Sequence, residues 1–238
     1  MKRATKITIG ALAVVALGTA ALVGWFLWQQ GRAAGDPAFF EPEIAAFEAA
    51  DAEAMPAPGG IVFVGSSSIR FWSSLADDMA PLPVVRRGFG GAHMSHVVYN
   101  ARRIVMPYAP RAIVVFVGGN DVASGKGAHE VARDYTEFLA LVHGELPETD
   151  VWILSSKPSK LRWSSWGELQ ALDTELRAMA DADPRVRFVE TGRTLLGPDG
   201  RPDDVYRIDG LHLNDEGYRR WTAVLKPLLL EAYGGGGP

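Results

Sequence analysis

Four short segments of the chain contain residue types that could together catalyse a nucleophilic reaction. They are 65–68 (Gly-Ser-Ser-Ser), 88–91 (Gly-Phe-Gly-Gly), 118–121 (Gly-Gly-Asn-Asp) and 209–212 (Asp-Gly-Leu-His). Covalent hydrolysis of an ester needs a hydroxyl nucleophile, a base that takes its proton, a group that orients the base, and donors for the developing oxyanion. Together the four segments supply a candidate for each of these groups.

Ser67 is the candidate nucleophile, because it follows the apolar run 61–64 and a glycine. A serine that begins a helix after a buried strand exposes its hydroxyl at the edge of the sheet. Its own backbone N–H also has no partner inside the helix and can donate to an oxyanion. Taken alone, the same residues are more typical of a plain turn and helix cap, since serine is favoured at that position.

Asp209 and His212 form the candidate acid–base pair. A carboxylate three residues before a histidine in a tight turn can accept from one ring nitrogen and leave the other facing the nucleophile. Asn120 can aim a side-chain N–H at an oxyanion, and Gly91 can bring a backbone N–H close to a substrate. Surface pairs, capped turns and flexible connections have the same patterns, so the prediction depends on the segments occurring together.

The elements between these segments predict one α/β domain. Short apolar runs alternate with segments of helical periodicity, which is typical of a mainly parallel sheet covered on both faces. We predict strands at 61–64, 112–117 and 151–154, weaker strands at 84–85 and 186–189, and helices at 129–146, 166–182 and 215–233. Ligands bind beyond the carboxyl ends of such strands, and all four segments are predicted to lie there.

In this order and spacing, the four segments resemble the blocks of the SGNH (GDSL-like) hydrolases over about 61–229. The resemblance implies a flavodoxin-like three-layer α/β/α sandwich, a triad of Ser67, His212 and Asp209, and an oxyanion hole formed by Ser67, Gly91 and Asn120. It implies hydrolysis of acyl or acetyl esters through an acyl-enzyme, without a cofactor or a metal. The string 63–72 is similar to a Gly-Ser-Ser-Ser-Ile subgroup that includes platelet-activating-factor acetylhydrolase-like esterases.

Two residues depart from the family pattern, since Ser66 replaces the usual Asp before the nucleophile and Arg86 stands where relatives often have Asn. Two other functions stay open. The chain could be an inactive relative that binds an envelope glycan or lipid. It could also hold a hydrolytic metal at the set Asn120, Asp121, Asp209 and His212, although no metal-binding motif is present.

Several further polar and aromatic residues have two interpretations each. The histidines at 93, 96, 129 and 143 are interpreted as structural or exposed, with His93 and His96 as candidates to line the cleft. The residues after the fourth strand are interpreted as an exposed basic loop that could alternatively shape the pocket: Lys157, Lys160, Arg162, Trp163 and Trp166. Trp72, Trp163 and Trp166 are expected to pack in the core or flank rather than to stack on a sugar.

The N-terminus predicts export from the cytoplasm. Lys2, Arg3 and Lys6 precede an uncharged apolar run at 7–28, which is long enough to cross a membrane as a helix. We expect an uncleaved anchor at 1–30, with a long signal peptide as the alternative, and a periplasmic or cell-surface location for the rest. The predicted order continues with a linker and flanking helix at 31–58, the hydrolase domain at 59–233 and a disordered tail at 234–238.

Composition limits the remaining functions. The 238 residues are 47% hydrophobic and 22% charged, with a net charge of -4, so nucleic acid is not an expected partner. Cysteine is absent, which excludes thiolate catalysis and disulfides. The expected partners are a small-molecule, lipid or acylated-glycan ester and, through the N-terminal helix, a membrane. The sequence does not determine the oligomeric state.

Overall fold

The computed structural model describes residues 36–235. The predicted anchor at 1–30, most of the linker and the end of the tail lie outside the described residues. Within residues 36–235, no helix is long and apolar enough to cross a membrane.

Five parallel strands form one sheet in the order β2-β1-β3-β4-β5. The strands are β1 (Ile61–Gly65), β2 (Val84–Gly88), β3 (Ala112–Phe116), β4 (Asp150–Leu154) and β5 (Val186–Val189). This is the flavodoxin-like strand order, in which the chain direction along the sheet switches between β1 and β3. The parallel sheet predicted from the sequence is therefore confirmed, and its switch point lies beside the segments that follow β1 and β3.

The second strand is longer than the predicted 84–85. Its two arginines interrupt the apolar run on which the prediction was based. Arg86 and Arg87 lie in β2 rather than after it. Arg87 is buried, and it pairs with the carboxylate of Asp51 and donates to the Tyr108 hydroxyl at 2.6 Å. These partners allow a charged residue to be buried in β2, which is an edge strand of the sheet.

Helices cover both faces of the sheet. They are α1 (Glu41–Glu53), α2 (Ser67–Arg70), α3 (Leu75–Met79), α4 (Met94–Ile104), α5 (Gly119–Ala123), α6 (Ala128–Glu145), α7 (Trp166–Ala182) and α8 (Asp215–Tyr233). The predicted helices at 166–182 and 215–233 match α7 and α8, and α6 is displaced by one residue from its prediction.

Alternate residues of the inner strands pack into two separate cores. Val62 and Val64 of β1 pack with α1, α4, α6 and α7, whereas Ile61 and Phe63 pack with α2, α3 and α8. This alternation follows from the period of two along a strand. The predicted three-layer α/β/α sandwich is present in the described residues.

The flanking helix α1 packs on one core through Ile44, which is fully buried. This helix ends at Glu53, and Met55 beyond it is 51% exposed and does not join the buried face.

Candidate active site

Ser67 is the first residue of α2 and lies at the carboxyl end of β1. The chain turns sharply there, and the backbone N–H of Ser66 donates to the carbonyl of Phe116 in β3 at 3.1 Å. Gly65 makes this approach feasible, because a Cβ at that position would lie 2.2 Å from the Phe116 carbonyl oxygen. The Ser67 side chain is half-buried at the edge of the sheet.

The structure brings Ser67, His212 and Asp209 into one hydrogen-bonded chain. The Oγ of Ser67 lies 3.0 Å from Nε2 of His212, and Nδ1 of His212 lies 2.7 Å from Oδ2 of Asp209. A carboxylate only accepts, so Nδ1 carries the proton in this arrangement and Nε2 is free to accept from the serine hydroxyl. This is the arrangement that a general base and its orienting group need.

The turn that carries the pair is closed by Asp209 itself. Its Oδ1 accepts from the backbone N–H groups of Leu211 and His212, both at 2.9 Å. Gly210 adopts a φ of +64°, which the tight turn requires. Burial raises the pKa of Asp209, but its hydrogen bonds with the His212 ring and these backbone groups outweigh burial and lower it overall. Asp209 is therefore ionised at neutral pH.

The segment after β4 holds this turn in place. Lys157 Nζ donates to the carbonyl of Leu211, the residue before His212, and the N–H of Leu161 donates to the Gly210 carbonyl at 3.0 Å. The Tyr206 hydroxyl donates to the Pro158 carbonyl at 2.6 Å. Burial, together with the nearby positive charge of Arg162, lowers the pKa of Lys157 to about 7. The turn is thus fixed by residues that lie about 50 positions away in the chain.

The interpretation of this segment as an exposed basic loop was wrong for two of its three cations. Lys157 and Arg162 are half-buried and line the cavity beside Ser67, whereas Lys160 is exposed and pairs with Asp204. Burial lowers the pKa of Arg162. Hydrogen bonds to carbonyl and amide oxygens satisfy these cations in place of carboxylates, and a sequence pattern gives no sign of such partners.

Asn120 lies in the first turn of α5 and lines the same cavity. Its Nδ2 donates to the carbonyl of Ala92 at 3.0 Å, and its Oδ1 accepts from Nη1 of Arg162 at 3.0 Å. Arg162 Nη1 also donates to the Gly119 carbonyl at 3.1 Å. A primary amide has two N–H groups, so one donor of Asn120 is left for a ligand in the cavity.

Gly91 lies beyond this cavity in the structure. It occupies the loop between β2 and α4 with a φ of +89°, and a Cβ there would lie 3.6 Å from the Phe40 ring. Within residues 36–235, the cavity wall includes Ser67 and Asn120 but neither Gly91 nor His212. The role of Gly91 as an oxyanion donor therefore stays a prediction.

The proposed metal set is not brought together. Asp121 is fully buried, and both its oxygens accept from the Met94 N–H at 3.2 Å, while Lys126 Nζ lies 3.2 Å from Oδ1. Burial raises the pKa of Asp121. In the described part of the chain, no group of three His, Asp or Glu residues could hold a metal ion. Asp121 thus joins the start of α4 to α5 rather than facing His212.

Of the remaining histidines, His129 is exposed and His143 is half-buried, whereas His93 and His96 are structural, as is Trp72. His93 and His96 are buried, and burial lowers the pKa of His93 to about 4, so that it is neutral at physiological pH. His96 Nδ1 accepts from the His93 backbone N–H at 3.0 Å. Trp72 is fully buried and stacks on Tyr218. Neither histidine lines the cavity beside Ser67 among the described residues.

A model of the GDSL-like Lipase/Acylhydrolase family matches residues 26–220. The chain belongs to this family. It is accordingly a carboxylic ester hydrolase, as the resemblance of the four segments implied. A comparison with curated proteins gives no match.

Solved structures of the same fold include family members from several organisms. A candidate platelet activating factor protein from Streptococcus pneumonia is 21% identical, with a TM-score of 0.74, covering 90% of this chain and 99% of the other. A GDSL-like lipase from Bacteroides thetaiotaomicron is 20% identical, with a TM-score of 0.67 and coverages of 83% and 98%. A carbohydrate esterase family 3 protein from Talaromyces cellulolyticus is 17% identical, with a TM-score of 0.61 and coverages of 75% and 100%. At sequence identities of 17–21%, these comparisons show a shared fold and nothing more specific.

Proposed function

We propose that this GDSL-family hydrolase cleaves short acyl esters through a covalent intermediate on Ser67. The observation that carries the proposal is the chain of hydrogen bonds from Ser67 Oγ to His212 Nε2 and from His212 Nδ1 to Asp209. Ser67 is half-buried and lines a cavity, so an ester can reach its hydroxyl. The alternative metal mechanism has no support from the position of Asp121.

In the first half of the reaction, Ser67 Oγ attacks the ester carbonyl carbon and its proton passes to His212 Nε2. The ester C–O bond then breaks, and the leaving alkoxide takes that proton, which leaves an acyl-enzyme. In the second half, water attacks the acyl carbon and gives a proton to His212. Collapse of the second intermediate returns the proton to Ser67 Oγ and releases a carboxylic acid. Asp209 stays ionised throughout and stabilises the imidazolium.

The developing oxyanion needs donors on the cavity side of Ser67. The free N–H of the Asn120 amide is one of them, since its other N–H and its oxygen are held by Ala92 and Arg162. The backbone N–H of Ser67, at the start of a helix, is the second. The Gly91 N–H is the third donor that the family resemblance adds.

The cavity beside Ser67 favours a small acyl group. Its volume is about 40 Å³, which accommodates roughly three water-sized groups. Its wall combines the apolar side chains of Phe116, Val117 and Leu169 with polar residues near Ser67. An acetyl group matches this volume, and longer acyl chains would have to extend into solvent.

The proposal is tested with the 4-nitrophenyl esters of acetic, butyric and octanoic acid. We expect the acetate to have the highest kcat/KM, and Ser67→Ala and His212→Ala each to abolish its hydrolysis. Ser68→Ala is the matched control, because the neighbouring hydroxyl has no contact with His212 among the described residues. Retention of hydrolysis in Ser67→Ala would refute the proposed nucleophile, and a preference for octanoate would refute the small acyl group.

We also propose that the catalytic domain acts outside the cytoplasm, as the predicted export of the chain implies. The basic residues before the apolar run at 7–28 support a catalytic domain on the outer side of the cytoplasmic membrane. Fractionation of cells that express the full chain should recover the esterase in membranes, at a site accessible to external protease. Recovery in the cytoplasm would contradict this location without bearing on the chemistry.

A further inference from the structure

Two cationic side chains lie in the wall of the cavity beside Ser67. Within residues 36–235, Lys157 and Arg162 are the only charged residues that line this cavity, and both are half-buried. Neither forms an ion pair with a carboxylate in that part of the chain, since their hydrogen bonds go to carbonyl and amide oxygens. The described wall of the cavity therefore carries positive charge and no negative charge.

Other cations of this protein that are withdrawn from solvent contact carboxylates. The buried Arg87 pairs with Asp51, and the half-buried Lys126 lies 2.9 Å from the carboxylate of Asp134. Removing a charge from water costs free energy unless an opposite charge and hydrogen bonds replace its hydration. The two cavity cations have the hydrogen bonds without the opposite charge, which a bound anion would supply.

The hydrogen bonds of the two cations locate their charged groups at the cavity wall. Lys157 Nζ donates to the carbonyl of Leu211, and Arg162 Nη1 donates to Asn120 Oδ1 and to the Gly119 carbonyl. These three acceptor residues line the same cavity. The ammonium therefore lies beside the catalytic turn, and the guanidinium lies beside the oxyanion donor.

Both cations have N–H groups to spare for a ligand. An ammonium has three N–H groups and a guanidinium has five, whereas Lys157 donates only to Leu211 and Arg162 donates only through Nη1 within the described chain. Burial and the positive charge of Arg162 lower the pKa of Lys157 to about 7, and the negative charge of Asp209 raises it. Asp209 is already bonded to His212. An anion in the cavity would reduce the repulsion between the two cations.

We propose that Lys157 and Arg162 form an anion subsite, which selects esters whose short acyl group ends in a carboxylate, the half esters of short dicarboxylic acids. The inference rests on the proposed function, because the ester carbonyl must lie at Ser67. The volume of about 40 Å³ limits the acyl group to one such as malonyl, and the apolar side chains of Phe116 and Leu169 suit its methylene. The carboxylate stays ionised, and the bonds that form and break are those of the proposed hydrolysis.

The test compares methyl hydrogen malonate with methyl 3-methylbutanoate. Their acyl groups have the same number of non-hydrogen atoms and end in a carboxylate and an isopropyl group respectively, so they differ mainly in charge. Release of methanol gives kcat/KM for both esters. We expect the native protein to prefer the malonate half ester by about tenfold or more, because a hydrogen bond between charged groups is stronger than one between neutral groups. 4-Nitrophenyl acetate has no such carboxylate and does not use the subsite.

Lys157→Met removes the ammonium and keeps an unbranched side chain. This change also removes the hydrogen bond to Leu211, so some activity should be lost on both esters. The preference for the malonate half ester should fall about tenfold or more, mainly through KM. Lys160→Met should keep the native preference, because this exposed cation pairs with Asp204. Equal losses on both esters in Lys157→Met would overturn the subsite, since Lys157 would then act only on the catalytic turn.

Binding to Ser67→Ala, measured by calorimetry, separates the subsite from the proposed chemistry. Binding of methyl hydrogen malonate that weakens about tenfold or more when Lys157→Met or Arg162→Met is added supports the subsite, even if the native protein fails to hydrolyse 4-nitrophenyl acetate and the proposed function falls. Hydrolysis of 4-nitrophenyl acetate, together with binding of methyl hydrogen malonate no tighter than that of methyl 3-methylbutanoate, overturns the subsite and leaves the proposed function standing.

Discussion

Replacing Arg162 with Met tests whether this cation holds the oxyanion donor in place. Arg162 Nη1 donates to Asn120 Oδ1 at 3.0 Å and to the Gly119 carbonyl at 3.1 Å. Methionine keeps an unbranched side chain in the half-buried site but removes both hydrogen bonds. The Asn120 amide is then held only by its bond to the Ala92 carbonyl, and its remaining N–H is directed less firmly at the developing oxyanion.

The size of the effect follows from the two contacts. A hydrogen bond to a charged group contributes about 1.5–3 kcal/mol, whereas complete loss of an oxyanion donor costs about 2.7–4 kcal/mol. Asn120 keeps its bond to the Ala92 carbonyl in the variant, so the loss should stay below the complete one. We therefore expect kcat for 4-nitrophenyl acetate to fall roughly 10- to 150-fold, with KM nearly unchanged.

The assay is a double-mutant cycle of Arg162→Met and Asn120→Ala. If Arg162 acts by positioning Asn120, the double variant should have the same kcat as Asn120→Ala alone. Lys160→Met is the matched control, because this neighbouring cation is exposed and contacts Asp204 instead. Losses in kcat that multiply in the double variant would refute the reasoning, since Arg162 would then contact the substrate independently of Asn120.

Three further predictions concern Asp209, the end of β1 and the half-buried Asp173. Asp209→Asn should lower kcat at least about 100-fold and up to about 10⁴-fold, because an amide can leave the wrong nitrogen of His212 protonated; kcat near the native value would contradict the role of the carboxylate. Gly65→Ala should lower the free energy of unfolding by about 3 kcal/mol or more in denaturant titrations, since the added Cβ would meet the Phe116 carbonyl oxygen at 2.2 Å, and an unchanged midpoint would contradict this. Burial raises the pKa of Asp173 to about 6, so the folded state binds this proton more tightly than the unfolded state and native stability should fall as pH rises from about 4 to about 6. Asp173→Asn should remove that part of the pH dependence and unfold with a free energy about 1–3 kcal/mol higher than the native protein at about pH 8, whereas equal pH profiles would show that Asp173 is not the group responsible.

Local sequence patterns predicted the framework and the positions of the reactive residues. The strands are continuous apolar runs because both faces of the sheet are covered, and α7 and α8 have clear helical periodicity. The carboxyl ends of parallel strands necessarily share one edge, which explains why Ser67 and Asn120 line the same cavity. The approach of His212 to Ser67 was predicted from the resemblance, and its distance is set by the turn at 209–212.

The parts that could not be predicted depend on contacts between distant segments. Lys157 and Arg162 resemble an ordinary basic loop, and only their approach to Leu211 and Asn120 places them in the cavity wall. The length of β2 could not be predicted, because the partner that allows Arg87 to be buried, Asp51, lies 36 residues away in the chain. A pattern read along the chain carries no information about such partners.

The most direct test of the central claim is to map the site of a covalent inhibitor. The native protein is treated with a fluorophosphonate and digested, and tandem mass spectrometry locates the adduct within the peptide that contains Ser66, Ser67 and Ser68. We predict one phosphonate on Ser67, and no adduct when His212 is replaced by Ala. An adduct on Ser66 or Ser68, or hydrolysis of 4-nitrophenyl acetate that continues undiminished without any adduct on Ser67, would contradict the proposed nucleophile.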